Sequence, residues 1–241
     1  MFPRIIFSDF DGTLTYGLSL GSFFFDILEL IKAKKSELVI VTGRSVSWGH
    51  FLLTHTDVSA VISEGGGMLT LRDHNNFICD YPLLPQQELN RLKNFVLLLK
   101  EKFPDLPMTS DSIGRVADRA IELGLAQPRL KELSAFMQLH QVNYSCSSVH
   151  LNFWCCDVDK FKGITHFMIH HAHEFAMDDC IYFGDSKNDE SVFKEMKNTV
   201  GVSNIREIVE ELNYKPSVML IGEHNEGPYG VLNYLDYLSR K

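Results

Sequence analysis

Four short segments carry residue types able to bind a cation or do nucleophilic and acid–base chemistry. They are Ser8-Asp9-Phe10-Asp11-Gly12-Thr13-Leu14-Thr15, Thr42-Gly43-Arg44, Asp157-Val158-Asp159-Lys160 and Gly184-Asp185-Ser186-Lys187-Asn188-Asp189. In the first, Asp9 and Asp11 stand at i and i+2, which on an extended chain points both carboxylates the same way. Gly12 permits the tight turn that follows. If Asp9, Asp11, Asp185 and Asp189 converge, their charges repel by roughly 4 kcal/mol per pair at about 4 Å and an effective dielectric near 20. Such a cluster is costly unless a cation sits in it. Oxygen-only donors suit Mg2+, which keeps waters and usually meets a substrate phosphate. A nearby lysine would offset the remaining charge.

These segments must be held by regular elements. Arg4 to Phe7 and Leu38 to Val41 read as buried strands. Between them Phe23, Ile27, Leu30 and Ile31 recur at helical spacing. Ile164, Phe167, Met168 and His171 form another helical stripe, followed by strand-like Cys180-Ile181-Tyr182-Phe183 and helical Val192, Phe193 and Met196. Val200 to Val202 and Ser217 to Ile221 read as two further short strands, and Val231, Leu235 and Leu238 as a closing helix. Alternating strands and helices imply an α/β fold, a doubly wound parallel-sheet (Rossmann-like) core covered on both faces. Ligands in such sheets bind beyond the carboxyl ends of the strands, where three of the four segments fall.

The middle of the chain differs. Met68 to Tyr81 reads as a hairpin turning at Asp73-His74-Asn75-Asn76, and Pro82 and Pro85 then punctuate the chain. Leu89, Leu92, Val96 and Leu99 make one helix; Leu130, Leu133, Met137 and His140 make a second. Short strands are expected near Ile113 to Ala117, Ala120 to Leu123, Tyr144 to Ser147 and His150 to Phe153. The reading is therefore a core of residues 1–83 and 158–241 with an inserted α+β domain at 84–157.

Composition narrows the partners. With 45% hydrophobic and 22% charged residues, the 241-residue chain is an ordinary globular sequence, which excludes disorder as its main state. A net charge of -8 without a basic run argues against nucleic acid. No apolar run approaches the roughly 20 residues of a membrane span, and Ile5-Ile6-Phe7 is too short for a signal-peptide core. The five cysteines show no C-x-x-C spacing, which fits reduced thiols. A cytoplasmic monomer or homodimer acting on a small molecule, with no membrane or nucleic-acid partner, is expected.

In order and spacing, DFDGTLT, VTGR, DVDK and GDSKND resemble the core motifs of the haloacid dehalogenase-like superfamily. The Thr-Gly-Arg form and the large insert between the second and third motifs are similar to the class IIB cap group, which includes sugar-phosphate phosphatases, Cof-like hydrolases and eukaryotic-type phosphomannomutases. The resemblance implies that 84–157 is a cap. It implies a Mg2+-dependent phosphatase hydrolysing a phosphomonoester of a small metabolite, in particular a sugar phosphate. Asp9 would be the nucleophile, forming an aspartyl-phosphate, and Asp11 the general acid and base. Thr42, the Gly43 amide and Asn188 would touch phosphate. Lys160 would balance charge. The metal would be held by the Asp9 carboxylate, the Asp11 carbonyl and Asp185, with Asp189 behind them. Lys160 and Lys162 both stand near the third motif. The apolar residues Ile164 and Phe167 follow Lys160 at the family's spacing, whereas His166 and Ile169 follow Lys162. A phosphomutase, or a ligand-binding protein that kept the fold, are the alternatives.

Other residues carry weaker readings. Arg44, Arg115, Arg119, His150 and Asn152 are candidates for substrate contacts, since sugar hydroxyls need donors and acceptors. Gly65-Gly66-Gly67 lacks any phosphate-loop pattern and reads as a flexible turn. His166 and His170 read as a polar helix face, and Trp48 and Trp154 as core residues.

Overall fold

Successive residues of the first strand, β1 (Ile5–Ser8), serve two different cores. Ile5 and Phe7 pack with Val39, Val41, Ala60 and Ile62, while Ile6 packs with Leu38, Ile40 and Val61. This period-two alternation places apolar side chains on both faces of one sheet. The computed structural model describes residues 2–17, 19–146 and 150–241.

After β1 come α1 (Gly21–Ala33), β2 (Glu37–Val41), α2 (Val46–His55), β3 (Ala60–Ser63), β4 (Met68–Arg72) and β5 (Ile78–Pro82). The inserted region holds α3 (Gln86–Lys102), β6 (Asp118–Glu122), α4 (Leu123–Ala126), α5 (Leu130–Leu139), β7 (Asn143–Cys146) and β8 (His150–Trp154). The chain returns through α6 (Lys160–His171), β9 (Cys180–Gly184), α7 (Glu190–Glu195), β10 (Thr199–Gly201), β11 (Val218–Met219) and α8 (Gly227–Ser239).

The main sheet runs β11-β10-β9-β1-β2-β3-β4-β5. It is parallel from β11 to β3; the expected hairpin, β4 and β5, extends it antiparallel at one edge. One face is covered through Ile164, Phe167 and Met168 of α6, the other through Phe24, Ile27, Leu52 and Leu235 of α1, α2 and α8. Among the described residues, no helix is long and apolar enough to cross a membrane.

The insert is a separate small layer. An antiparallel sheet, β6-β8-β7, packs Ile121, Leu151 and Phe153 against Leu92, Phe95 and Leu99 of α3 and Leu133 and Met137 of α5. A fourth cluster, Val46, Met68, Leu84, Leu89 and Ala117, joins insert to core.

One local expectation is corrected and two are sharpened. No strand forms at Ile113 to Ala117: Ser110–Gly114 is a 3-10 turn, and the Val116, Ala117 and Asp118 amides turn to the Glu64 carboxylate instead of a neighbouring strand. The strand expected at Tyr144 to Ser147 is β7, and Ser147 lies outside the described residues. Gly65-Gly66-Gly67 forms a turn, with Glu64–Gly66 in 3-10 form, and it is closely packed. Gly66 has φ +107, and a Cβ there would lie 2.0 Å from the Asp159 carbonyl oxygen. That absent side chain lets α6 start directly against the end of β3.

Candidate active site

Parallel register brings the motifs together. Ser8 is level with Ile40 on one side and Phe183 on the other. Asp9, Thr42 and Asp185 therefore leave the sheet side by side at its carboxyl edge. The Asp9 amide also donates to the Phe183 carbonyl at 2.8 Å, fixing the turn out of β1 against β9.

Asp9 is buried, at 4% exposure. Its Oδ1 accepts from the Phe10 amide at 2.7 Å and lies 2.9 Å from Lys160 Nζ. Lys160 opens α6, whose cap is Asp159 accepting from the Lys162 amide at 2.9 Å. Lys160 is fully buried and also reaches Asp189 Oδ1 at 2.6 Å. Burial works against its charge, yet Asp189 and Asp9 together push its pKa above the ordinary value. Lys162 points elsewhere, to exposed Asp157 at 2.5 Å, so Lys160 is the lysine beside Asp9.

Asp189 is a structural hub. Its Oδ1 also accepts from Tyr182 Oη at 2.5 Å, and its Oδ2 accepts from the Asp185 and Ser186 amides, both at 3.0 Å. Asp185 accepts from Thr13 Oγ1 at 2.8 Å and from Asn204 Nδ2 at 2.8 Å. Asn204 bonds the Gly12 carbonyl as well and accepts from the Gly227 amide. Gly12 has φ +78, and a Cβ there would fall 2.4 Å from Asp185 Oδ2. The glycine thus serves both the turn and the approach of Asp185.

Asp9, Asp185 and Asp189 offer oxygens that all lie within 4.8 Å of one another, a cluster that could hold a metal ion. Three carboxylates share the single ammonium of Lys160 here. The electrostatic consequence is visible: burial, followed by the charge of Asp189, pushes Asp185 up to about 7. Asp9 is raised well above the carboxylate range by burial, which outweighs Lys160, with Asp189 and Asp185 adding to the rise. An all-oxygen, under-neutralised donor set fits a hard dication. Asp189 already shares its oxygens among Lys160, Tyr182 and backbone amides, whereas Asp185 accepts from the neutral Thr13 hydroxyl and Asn204 amide, which leave its charge uncompensated.

The remaining expected residues fall into two groups. Thr42 is buried, and its Oγ1 accepts from the Arg44 amide at 3.1 Å. Asp11 is held by Arg44 through Nε at 2.8 Å and Nη2 at 2.5 Å, and the guanidinium lies 4.4 Å over the Trp48 ring. Asn188 is exposed at the rim, accepting from Ser186 Oγ at 2.9 Å. Arg115 departs from the expectation of a substrate contact. Its side chain is 2% exposed and donates to Asp111, Asp118 and the Gly43 carbonyl. Arg119 donates to the Arg115 and Asp118 carbonyls, and Asn152 to Asp118 Oδ2 at 3.0 Å, so both are used inside the insert. His150 lies 3.6 Å from Glu122. Trp48 contacts the Phe10 ring and Arg44, at the site's edge. The His166 and His170 rings lie 4.4 Å apart on α6.

Sequence reasoning passed over Asn204, Tyr182, Thr13 and Glu64. Thr13 and Tyr182 stood inside quoted motifs and strands, so their polar groups were available as a signal. Asn204 and Glu64 stood in none.

Residues 6–105 and 126–235 match the sequence model of haloacid dehalogenase-like hydrolases. The chain is 28% identical over 243 residues to the phosphoglycolate phosphatase of Nitrosopumilus maritimus (strain SCM1), spanning 99% of this chain and 97% of that protein. In fold it is similar to a Thermoplasma acidophilum protein, with TM-score 0.73, 13% identity, and 98% and 99% of the two chains covered. It is similar too to the sucrose-phosphatase of Synechocystis sp. PCC6803, whose structure is a complex with sucrose and phosphate, with TM-score 0.71, 14% identity and 99% of each chain covered.

Proposed function

The chain belongs to the haloacid dehalogenase-like hydrolase family and is a phosphatase, and from that premise we propose that it hydrolyses, with Mg2+, a phosphomonoester of a small polar metabolite such as a sugar phosphate, through an aspartyl-phosphate on Asp9. The observation that carries the reading is the buried contact of Lys160 with both Asp9 and Asp189, beside the under-neutralised Asp185.

Asp9 Oδ1 is engaged by the Phe10 amide and Lys160, so Oδ2 is the oxygen assigned to attack phosphorus. The Asp9–phosphorus bond forms as the ester P–O bond breaks, and Asp11 gives its proton to the leaving oxygen. Asp11 then takes a proton from water, which attacks the aspartyl-phosphate and releases inorganic phosphate and the free Asp9 carboxylate. Arg44 pairs with both Asp11 oxygens in the free protein, so Asp11 gives its proton after leaving this pair. The Thr42 hydroxyl, the Gly43 amide and Lys160 hold the phosphoryl oxygens, and phosphoryl transfer relies mostly on such positioning and charge. Asp9, the Asp11 carbonyl and Asp185 are the groups that would hold Mg2+. When bound, the ion supplies charge neutralisation at the transferring phosphoryl group.

The 28% identical relative is named for a small phosphorylated hydroxy acid, which supports a compact polar substrate. The test is release of inorganic phosphate from a panel of phosphorylated sugars and small phosphorylated acids. Turnover should require Mg2+ and fall to background in Asp9→Asn. A panel without turnover above that mutant overturns the reading, and sugar-phosphate isomerisation without free phosphate replaces it with a phosphomutase.

A further inference from the structure

The insert reaches the phosphoryl-binding loop through one arginine. Arg115 lies on the segment entering β6, buried between two carboxylates of its own domain. Nε and Nη2 donate to Asp111 Oδ2 at 3.1 and 2.9 Å, and Nη1 donates to Asp118 Oδ1 at 2.8 Å and Oδ2 at 2.9 Å. Nη1 also crosses to the core and donates to the Gly43 carbonyl at 3.2 Å. The other end of that same peptide is the Arg44 amide, which donates to Thr42 Oγ1 at 3.1 Å. A hydroxyl oxygen that accepts from a fixed N–H has its own proton directed elsewhere.

The segment that carries Arg115 is itself seated on the core. Buried Glu64 has a left-handed backbone, φ +52. Its Oε2 accepts from the Val116, Ala117 and Asp118 amides at 2.9, 2.5 and 3.0 Å, while Oε1 accepts from Val46 at 3.2 Å. Close approaches confirm the seat. A Cβ on Gly67 would lie 2.5 Å from Ala117 Cβ, and one on Gly114 would lie 3.3 Å from Ser47 Oγ.

We propose that Arg115 is a positioning residue: through the Gly43–Arg44 peptide it orients the Thr42 hydroxyl for donation to the transferring phosphoryl group, so that Thr42 is set only while the insert is docked. The order of contacts is Asp111 and Asp118, Arg115, the Gly43 carbonyl, the Arg44 amide and Thr42 Oγ1. Hydrogen bonds linked in this way polarise one another. The guanidinium fork suits this duty because it can serve two carboxylates and a carbonyl at once, which a lysine ammonium cannot match in geometry. The inference rests on Thr42 contacting phosphate, as in the reading above.

A double-mutant cycle tests it. Wild type, Arg115→Lys, Thr42→Val and the double variant are assayed with Mg2+ for hydrolysis of 4-nitrophenyl phosphate, and for affinity toward inorganic phosphate by calorimetry. Arg115→Lys keeps a cation between Asp111 and Asp118. It should lower kcat/KM by about tenfold to a hundredfold in the wild-type background, and by less than about twofold once Thr42 is Val, because coupled residues do not add. Phosphate affinity should show the same non-additivity, which gives a second reading where Thr42→Val turnover is small. If the lysine variant does not fold, Asp111→Asn, which loosens the clamp but keeps the guanidinium, takes its place. Equal losses in both backgrounds, or no loss in the first, overturn the proposal. A wild type that binds phosphate but turns over no ester overturns the hydrolytic reading instead.

Discussion

Lys160 Nζ lies 2.9 Å from Asp9 Oδ1, with both side chains buried, one at the start of α6 and the other at the end of β1. The contact is possible because Gly66 lets the Asp159 carbonyl come within van der Waals range of β3's last turn. A single ammonium thus stands against Asp9 and Asp189 together. Breaking a buried ion pair from one side leaves an uncompensated charge, whereas an exposed pair contributes little.

Replacing Lys160 by Met should therefore abolish turnover and destabilise the metal-free protein by about 3–5 kcal/mol. Lys162→Ala, which removes exposed contacts to the Asp157 side chain and carbonyl and to Asp159, should change stability by no more than about 0.5 kcal/mol and leave turnover unchanged. Urea midpoints and phosphate release on both variants check this. Comparable losses in the two would contradict the placement of the charge.

Metal affinity should carry a pH signature. Burial and Asp189 lift Asp185 to about 7, and burial lifts Asp9 well above its ordinary range. Below about pH 7, Mg2+ must displace the Asp185 proton, so affinity should climb there by at least about one log unit per pH unit, with any Asp9 proton adding to the slope. Calorimetry at several pH values, in buffers of different ionisation enthalpy, counts the released protons. Affinity independent of pH from 5 to 7 would remove Asp185 from the metal site.

Gly12→Ala tests the close approach beneath Asp185, a proposed metal ligand. The new methyl would sit 2.4 Å from Asp185 Oδ2 on a backbone at φ +78. Strain at such a position costs about 1–3 kcal/mol, and Asp185 can move only by losing Thr13 or Asn204. A weaker Mg2+ affinity together with a lower urea midpoint is expected. Loss of stability with unchanged affinity would show that Gly12 serves the turn alone.

The strand ends and their acidic motifs were legible in the sequence because each motif is contiguous and follows an apolar run: Asp9, Thr42 and Asp185 needed only parallel pairing to meet. Lys160 was separable from Lys162 by the apolar positions one and two turns further along α6. The joint between insert and core was not legible. Glu64 follows an apolar run like any turn residue, and nothing local says that its carboxylate will take the Val116, Ala117 and Asp118 amides. Arg115 offers donors to a substrate or to Asp111 and Asp118 alike, and only the tertiary approach decides. Helix α2 was passed over because its buried residues, Val46, Gly49, Leu52 and Leu53, include a glycine, and exposed Ser47 and His50 interrupt the apolar run. Asn204 sits in the short 3-10 turn Ser203–Glu207 after β10, too brief for spacing to carry information.

Glu64 gives the last prediction, concerning stability rather than turnover. Burial, then the charge of Asp118, raises its carboxyl to about 7, against the pull of the Ala117, Asp118 and Val116 amides. In the unfolded chain the group ionises in the ordinary carboxylate range, near pH 4.3. Between these values the folded state binds the extra proton, so unfolding free energy falls as pH rises. The loss at this site amounts to about 4 kcal/mol at most and is complete above about pH 7. Glu64→Gln cannot ionise, so it should lose that slope while paying separately for amides that its carboxamide satisfies less well. The comparison is made with Mg2+ saturating, so that Asp9 and Asp185 stay ionised throughout. Parallel pH profiles for wild type and Glu64→Gln would show that the Glu64 carboxylate is not the buried group that titrates at the joint.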